Sequence, residues 1–593
     1  MKPADIHNAL SDKNMIVREM FISSFLTMLL ASVAMLLGTL IDGILIGNFL
    51  TTNDMAAYGL IHPVTVLLLA VTGIFSSGSQ IVCTKHMSLG ESDDANRAFS
   101  LSFALLLIVS LSMMTLFLIF DTSIVSFLGA ANELLPLGRD YFIGLTIGFP
   151  GVLLATMLAP FAQLEGRQSL AVSAVCAMVG INVAGDLINV FVFNGGIFGM
   201  GIATSLGSYG AFIILFVHFL FNKKGYRLTF RNIAWRKSLS IILPGLPTAG
   251  GRLFATFRTL FLNYILIAIS NNIALAAYSA RMNIGTFFAS TGAASGMAAL
   301  SLTGFFYGEE DRTMLKKMFK IVMIYSVLIA TMIMIFLLLF SNQIIALYMN
   351  TDSETLALSA RALRFCAISL PFYAINNILA NYLQAIRRII FTNVLLFCQN
   401  LGFCLLSAFI MIPYIGTDGV WACYIAGEVA TTVLYIVIAA VYSERMRPGL
   451  RNLMMLPEDY GISDEDLIEG SIKNTDELKV AAIKTELFCL SRCPDKDKAD
   501  KVVFAFEEMT KNILHHGFCD SKTNVIDFRI FKKDEDFVIR LRDDCPSFNP
   551  VAKLDDMNAS NDTSHMGIRI TETLAKDISY IKIMNMNNLI IVI

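Results

Sequence analysis

Between Met20 and Asn53 the only formally charged side chain is Asp42, in Gly38-Thr-Leu-Ile-Asp42-Gly43-Ile-Leu-Ile-Gly47. About 20 apolar residues suffice to cross a bilayer, and an acid at such depth costs roughly 2.5–3.5 kcal/mol even on lenient scales. Acids so placed normally face a water-filled cavity and carry protons or ions; the structural alternative is a cap on a packed helix pair. Two further groups stand near the C-terminus. Glu508-Met-Thr-Lys-Asn512 puts a carboxylate and an amide one helical turn apart on one face. Leu541-Arg-Asp543-Asp544-Cys-Pro546 ends a strand with an acid at a turn, and Met566-Gly567-Ile568 opens a helix.

The elements that hold these residues divide the chain of 593 residues in two. Residues 1–450 contain 47 Asp, Glu, Lys and Arg, a membrane-like density, whereas residues 451–593 contain 45, the density of a soluble domain. Twelve apolar spans are expected, near 20–49, 57–84, 98–120, 139–163, 169–193, 198–221, 240–268, 275–305, 315–340, 361–385, 390–413 and 418–442. The first run is too long for a signal-peptide core. Lys and Arg concentrate in alternate loops, as in Lys223-Lys224…Arg227, Arg312…Lys316-Lys317 and Arg387-Arg388, while loops such as Thr51–Asp54 and Ser341–Ser359 have none. The positive-inside rule therefore places both termini in the cytoplasm of a multi-pass plasma-membrane protein. A net charge of −2 offers no basic stripe for nucleic acid. The ten cysteines show no metal or disulfide spacing.

The two halves of the membrane region repeat. Ala56-Ala-Tyr58 recurs as Ala276-Ala-Tyr278, and Gly90-Glu91-x-Asp93 as Gly308-Glu309-x-Asp311. Pro150, Gln163 and Arg167 recur as Pro371, Gln384 and Arg388. A shift of six spans keeps the orientation, so the lobes are parallel repeats, the arrangement of transporters that rock one half against the other.

These motifs, with Gln163-Leu-Glu-Gly166-Arg167, resemble the multidrug and toxic compound extrusion (MATE) transporters over about residues 15–445. The resemblance implies lobes at 1–220 and 221–445 that export drugs or small amphipathic solutes in exchange for a cation. It also matches an Asn-x-x-x-Asp pair on the fifth span, Asn182 and Asp186. Asp186 is the only formal charge between Arg167 and Lys223. Asp42, Asn182 and Asp186 then form the coupling site, suited to H⁺ with Na⁺ as the alternative. The chain departs from the acidic second-lobe cluster of sodium-coupled members: no Asp or Glu lies between Asp186 and Glu309, and the seventh and eighth spans carry Arg252, Arg258 and Arg281. Glu428 is the acid deep in that lobe. The first span also lacks a proline, and Gly38, Gly43 and Gly47 are the candidates for its flexibility. The three arginines, Tyr278 and Glu428 are expected at a central cavity, with Phe149, Phe161, Tyr209, Phe257, Met282, Phe287 and Phe288 as aromatic or Met-rich lining. The arginines also raise an anionic solute or a lipid-linked substrate as alternatives.

After a linker at 446–470, residues 471–593 read as an α+β two-layer sandwich with a cytoplasmic location. Val502, Phe506, Met509 and Ile513 recur at spacings of 4, 3 and 4, one core-facing helix stripe. The Glu-x3-Asn, Asp and Gly elements resemble the GHKL ATP-binding fold, most closely the anti-sigma-factor serine kinases. The resemblance implies Glu508 as catalytic base, Asn512 as Mg²⁺ ligand, Asp543 at the adenine amino group and the Gly567 backbone at phosphate. Cys545 and Ser564-His565 stand where that family has glycines, which weighs against catalysis more than binding. The whole is thus an α-helical membrane protein of twelve transmembrane helices with an ATP- and Mg²⁺-binding domain that regulates export or phosphorylates a partner protein. A membrane-tethered serine kinase or sensor, and a flippase of lipid-linked substrates, are the alternatives.

Overall fold

The computed structural model describes residues 3–130, 134–222, 225–229, 235–269, 272–348, 353–442, 453–457, 460–493, 495–518, 525–545, 566–583 and 586–593. The first lobe consists of α1 (Pro3–Phe49), α2 (Thr52–Ser88), α3 (Ser92–Ile119), α4 (Asp121–Phe127), α5 (Leu134–Ile147), α6 (Phe149–Leu164), α7 (Gln168–Ile188) and α8 (Gly196–Phe221). The second consists of α9 (Ser238–Ile269), α10 (Asn272–Gly308), α11 (Arg312–Tyr348), α12 (Ser353–Ala385), α13 (Ile389–Phe397), α14 (Phe403–Ile415) and α15 (Thr417–Tyr442). With α5–α6 and α13–α14 each taken as one pass, and α4 as a short connector, these make the twelve expected passes. Nine helices among the described residues are long and apolar enough to cross a membrane alone, and α5–α6, bent by 47°, makes a tenth. The remaining two, α9 and α10, carry the arginines.

The structure adds a helix where a loop was expected after the third span. In α4, Asp121 accepts a 2.8 Å hydrogen bond from Arg139 Nε of α5, which pins the connector. At the same end of the lobe, Thr51 and Asp54 form a reciprocal capping box that starts α2. The internal repeat reaches the backbone: α7 runs into a π-helical turn at Asn189–Phe193, and α13 into one at Cys398–Gly402. It is not uniform in register. Gly90 adopts the left-handed conformation after α2, and 220 residues later that place is taken by Glu310, not by Gly308, which closes α10. The Gly-Glu motif therefore recurs two residues out of structural step.

The lobes meet through α2. A Cβ on Gly78 would lie 2.0 Å from Ile241 O of α9, and one on Gly245 would lie 1.8 Å from Ile74 O. Such absent side chains let helix backbones touch where lipid supplies no hydrophobic drive. Farther along α2 the lobes are hydrogen-bonded: Ser301 Oγ donates to Gln80 Oε1 at 3.2 Å, and Gln384 Nε2 to Ser77 Oγ at 3.2 Å. These contacts lie toward the end of α2 that meets the C-terminal domain.

That domain is a five-stranded antiparallel sheet in the order β1-β2-β3-β5-β4, with β1 Leu467–Ile472, β2 Ile526–Lys533, β3 Asp536–Asp543, β4 Asp577–Ile583 and β5 Met586–Val592. Helices α16 (Thr475–Arg492), α17 (Lys496–His516) and α18 (Met566–Leu574) cover one face. Alternation sorts the strands. Ile526, Phe528 and Ile530 of β2 and Ile539 and Leu541 of β3 pack under the helices with Val502, Phe506 and Met509. Asp527, Arg529, Arg540 and Arg542, the intervening residues, face the other way and are buried as well. The preceding segment is itself tied down, since Tyr382 Oη donates to Met454 O at 2.9 Å and Tyr460 stacks on Tyr307 with centroids 4.8 Å apart.

Candidate functional site

Three of the expected residues converge between α1 and α7. Asn182 Nδ2 donates to Asp42 Oδ1 at 2.6 Å, and all three of Asp42, Asn182 and Asp186 are buried. One turn along α7 the Asp186 carboxyl faces that of Asp42 within hydrogen-bond reach. Neither Asp186 oxygen accepts a hydrogen bond from a donor among the described residues. Two facing carboxylates can bond to one another only through a proton held between them, or share a cation. Gly207 sets the approach of α8 here, since a Cβ on it would lie 2.4 Å from Met178 O and 3.2 Å from Asn182 N. The first helix runs unbroken past Gly38, Gly43 and Gly47.

Between the lobes lies a cavity of about 470 Å³. Its first-lobe wall is uncharged and mostly apolar, with Met28, Met35, Met178 and alanines beside Ser32, Thr156 and Gln163; its second-lobe wall carries Arg252, Arg258, Arg281, Tyr373, Tyr424 and Glu428. Asp42 sits seven residues beyond Met35, ~10 Å along α1. The three arginines and Glu428 are therefore at the cavity as expected. Tyr278 is not: it is buried behind Tyr424, whose hydroxyl it meets at 2.8 Å. Of the suggested aromatic and Met lining, only Met282 is among the lining residues; Phe149 and Phe161 are wholly buried in the first lobe, and Phe257 is half exposed elsewhere. Tyr424 and Tyr373 were missed, because nothing in an apolar helix marks which ring turns inward.

In the C-terminal domain α17 and α18 bring Glu508 and Gly567 together: a Cβ on Gly567 would lie 2.2 Å from Glu508 Oε2. Asn512, one turn after Glu508, is half-buried. Asp543 ends β3 on the helix side of the sheet. It accepts from Asn587 Nδ2 at 2.7 Å and Cys545 N at 3.0 Å, while Tyr580 Oη donates to Asn587 Oδ1 at 2.7 Å. Burial raises the Asp543 carboxyl above its ordinary value, against the pull of those two donors. Ser564 and His565, with the rest of 546–565, lie outside the described residues.

The MatE family model matches residues 27–188 and 247–410, more than half of the chain and one block in each lobe. The chain belongs to the MatE family. A second model, the histidine kinase-like ATPase domain, matches residues 478–593, so this MATE transporter carries a GHKL-type domain. Among curated relatives, the multidrug export protein MepA of Staphylococcus aureus (strain MSSA476) is 24% identical over 428 residues, covering 70% of this chain and 93% of its own. MepA of Staphylococcus haemolyticus is 24% identical over 441 residues, covering 72% and 95%. The outward-facing structure of a multidrug resistance MATE transporter of the MOP superfamily superposes with a TM-score of 0.67 at 20% identity, covering 70% of this chain and 94% of that one.

The ATPase domain is seated on the MATE body through the polar face of its sheet. Arg542 donates from Nη1 to Glu309 Oε2 at 2.8 Å and from Nη2 to Asp311 Oδ2 at 2.7 Å, both in the turn after α10; its Nε reaches Asp527 Oδ2 at 2.9 Å. Burial opposes that charge, but Asp527, Glu309 and Asp311 outweigh it and hold the guanidinium well above its ordinary value. Arg529 Nη1 and Nη2 donate to Glu309 O and Glu310 O at 3.3 and 3.4 Å. Arg540 reaches both lobes: it pairs with Glu309 Oε1 at 2.9 Å and donates to Ser88 O, the end of α2, at 3.0 Å. Three arginines thus meet three carboxylates, every one of the six at most 5% exposed.

Proposed function

We propose that the protein is a proton-coupled exporter of small amphipathic solutes whose ATPase domain holds the two lobes together on the cytoplasmic side. The observation that carries the coupling is the Asp42–Asn182–Asp186 cluster: two facing carboxyls in an apolar lobe, adjacent to the cavity and bound by no cationic side chain among the described residues. A proton taken up there favours carboxyl–carboxyl contact, and its loss favours separation, which moves α1 against α7. Na⁺ at the same three residues is the alternative coupling ion. MepA, by its name, exports multiple drugs, and the cavity between lobes is where such a solute would sit.

The domain fits a nucleotide. Gly567 leaves the space that a Cβ would fill against Glu508, Asn512 offers an amide oxygen for Mg²⁺, and the Asp543 carboxyl ends a strand facing the helix layer. When bound, Mg·ATP supplies a transferable phosphoryl group and a multivalent charge. Within the chain, Asp543 would orient the base, the α18 N-terminus would receive phosphate through its amides, and Glu508 would act as base where turnover occurs. Arg540 bonds the end of α2 of one lobe and Glu309 of the other, about two to three helical turns along α2 from the Gln80–Ser301 and Gln384–Ser77 contacts between the lobes. Any rocking that opens that side must break this cluster, so domain state and lobe state bias one another. That reciprocity also favours a second reading, in which the transporter body controls a kinase domain acting on a partner protein.

The test is export by everted vesicles under an imposed pH gradient, with a cationic and an anionic dye, for wild type, Asp42→Asn and Glu508→Ala. Gradient-driven export that is lost in Asp42→Asn is expected, with Glu508→Ala changing its ATP dependence alone. Export undiminished in Asp42→Asn would sink the coupling assignment.

A further inference from the structure

Resting on the export reading, we propose that the transported solute is an amphipathic anion, its acidic head held between Arg258 and Arg281 and its apolar body laid on the methionine wall of the first lobe. Among the residues that line the cavity, the formal charges are three arginines and one glutamate. Glu428 is already engaged, accepting from Asn376 Nδ2 at 2.7 Å and Gln399 Nε2 at 3.1 Å, and it forms no ion pair with an arginine among the described residues. The wall facing the solute is therefore net positive in either protonation state of Glu428.

The arginines are arranged as a receptor rather than as packing. Arg281 is 5% exposed, its guanidinium lies 3.6 Å from the centroid of the Tyr424 ring, and its Nε has no hydrogen-bond partner among the described residues. Its Nη1 meets only the Met282 sulfur, at 3.0 Å. Arg258 lies 4.8 Å from the centroid of the same ring, and its Nε is equally unpartnered. Two like charges share one aromatic ring in an apolar setting, with planar donor forks that match carboxylate, sulfonate or phosphate oxygens. A cationic solute would meet repulsion from all three arginines. A purely structural role would have paired each with a carboxylate, as Arg540 and Arg542 are paired in the domain interface. Opposite this charge, Met28, Met35 and Met178 give an adaptable apolar bed. The cavity is of ordinary small-ligand size, and the head chemistry is common to a free amphipathic acid and to an anionic lipid.

The experiment uses the full chain in proteoliposomes with a pH gradient and three fluorescent probes: a dansyl-labelled decyl sulfonate, the matching decyl trimethylammonium, and NBD-phosphatidylglycerol. Their head charges are fixed, so the gradient does not redistribute them by itself. Wild type is expected to move the sulfonate and not the ammonium. Arg281→Gln and Arg258→Gln should raise the sulfonate KM roughly 10- to 100-fold, the loss of a charge-assisted hydrogen bond. Arg281→Lys should recover part of that loss, and should fold if the glutamine variants do not. Arginine-dependent movement of the labelled lipid alone would identify the source of the anion as the bilayer. Export of the ammonium with exclusion of the sulfonate and the lipid overturns the proposal and leaves the export reading intact. Movement of none of the three removes both.

Discussion

Where α2 turns into α3, Glu91 stands with 47% of its side chain exposed and Asp93, in the first turn of α3, with 78%; in the turn after α10, Glu309 and Asp311 of the same motif are at 0%. The turns join equivalent helices of the two lobes, yet one offers the ATPase domain a backbone carbonyl, Ser88 O, and the other two carboxylates. Deeper in, the lobes diverge again. The first holds Asp42 and Asp186 and no arginine at the cavity; the second holds Arg252, Arg258 and Arg281. Duplication has kept the places where helices stop and backbones touch, and has let the charges separate. On the reading proposed above, the acid pair of one lobe and the cationic wall of the other would be two different half-sites, one to exchange protons and one to hold solute.

The sharpest way to break this comparison is to neutralise one buried acid in each lobe. Asp186→Asn should reduce proton-driven export to the uncoupled background, because the facing pair then has a single titrating member. Glu428→Gln, whose carboxyl is held by two neutral amides, should leave gradient-driven flux present. Vesicle flux against imposed ΔpH reads both, and loss in Glu428→Gln with retention in Asp186→Asn would move coupling to the second lobe. Next in size is the pair of turns. Glu309→Ala leaves Arg540 and Arg542 short of a buried partner and should cost about 3–5 kcal/mol of domain docking, whereas Glu91→Ala, at the surface, should cost no more than about 0.5 kcal/mol. Hydrogen exchange across 526–533 and 536–543 in the intact protein would register the first as lost protection and the second as no change.

Much of the architecture was legible beforehand, for identifiable reasons. Twelve passes follow from apolar runs; Asp42 and Asp186 stand out as lone charges in lipid-like sequence, where a charge is costly, and their grouping with Asn182 came from the resemblance to MATE transporters. The sheet of the ATPase domain follows from period-two strands, and its core helix from Val502, Phe506 and Met509. Three things were not legible. Tyr278 and Tyr424 look alike in apolar helices, and only packing decides which ring reaches the cavity. The aromatic lining failed because Phe149 and Phe161 satisfy first-lobe packing rather than solute. The interface stayed hidden because Arg540 and Arg542 alternate with core residues as solvent-facing residues do. Alternation gives the face of a residue, and it does not give what covers that face.

The smallest contrast lies in two backbone positions that the repeat equates. Gly166 and Arg387 each follow a helix, each donate their N–H to the carbonyl of a repeated glutamine, Gln163 or Gln384, at 2.9 and 3.0 Å, and have φ of 76° and 61°. The left-handed conformation costs a residue with a Cβ roughly 1 kcal/mol, and glycine avoids this at the expense of a looser unfolded chain. Gly166→Ala should therefore destabilise the protein by about 1 kcal/mol, while Arg387→Gly should fall within about 0.5 kcal/mol of wild type because strain relief and chain freedom offset. Unfolding midpoints of the two purified variants in one detergent test this. A loss beyond that range in Arg387→Gly would mean that this exposed guanidinium, next to Arg388 at the domain side of the second lobe, contributes an interaction of its own, and the strain at φ 61° would then be retained for its sake.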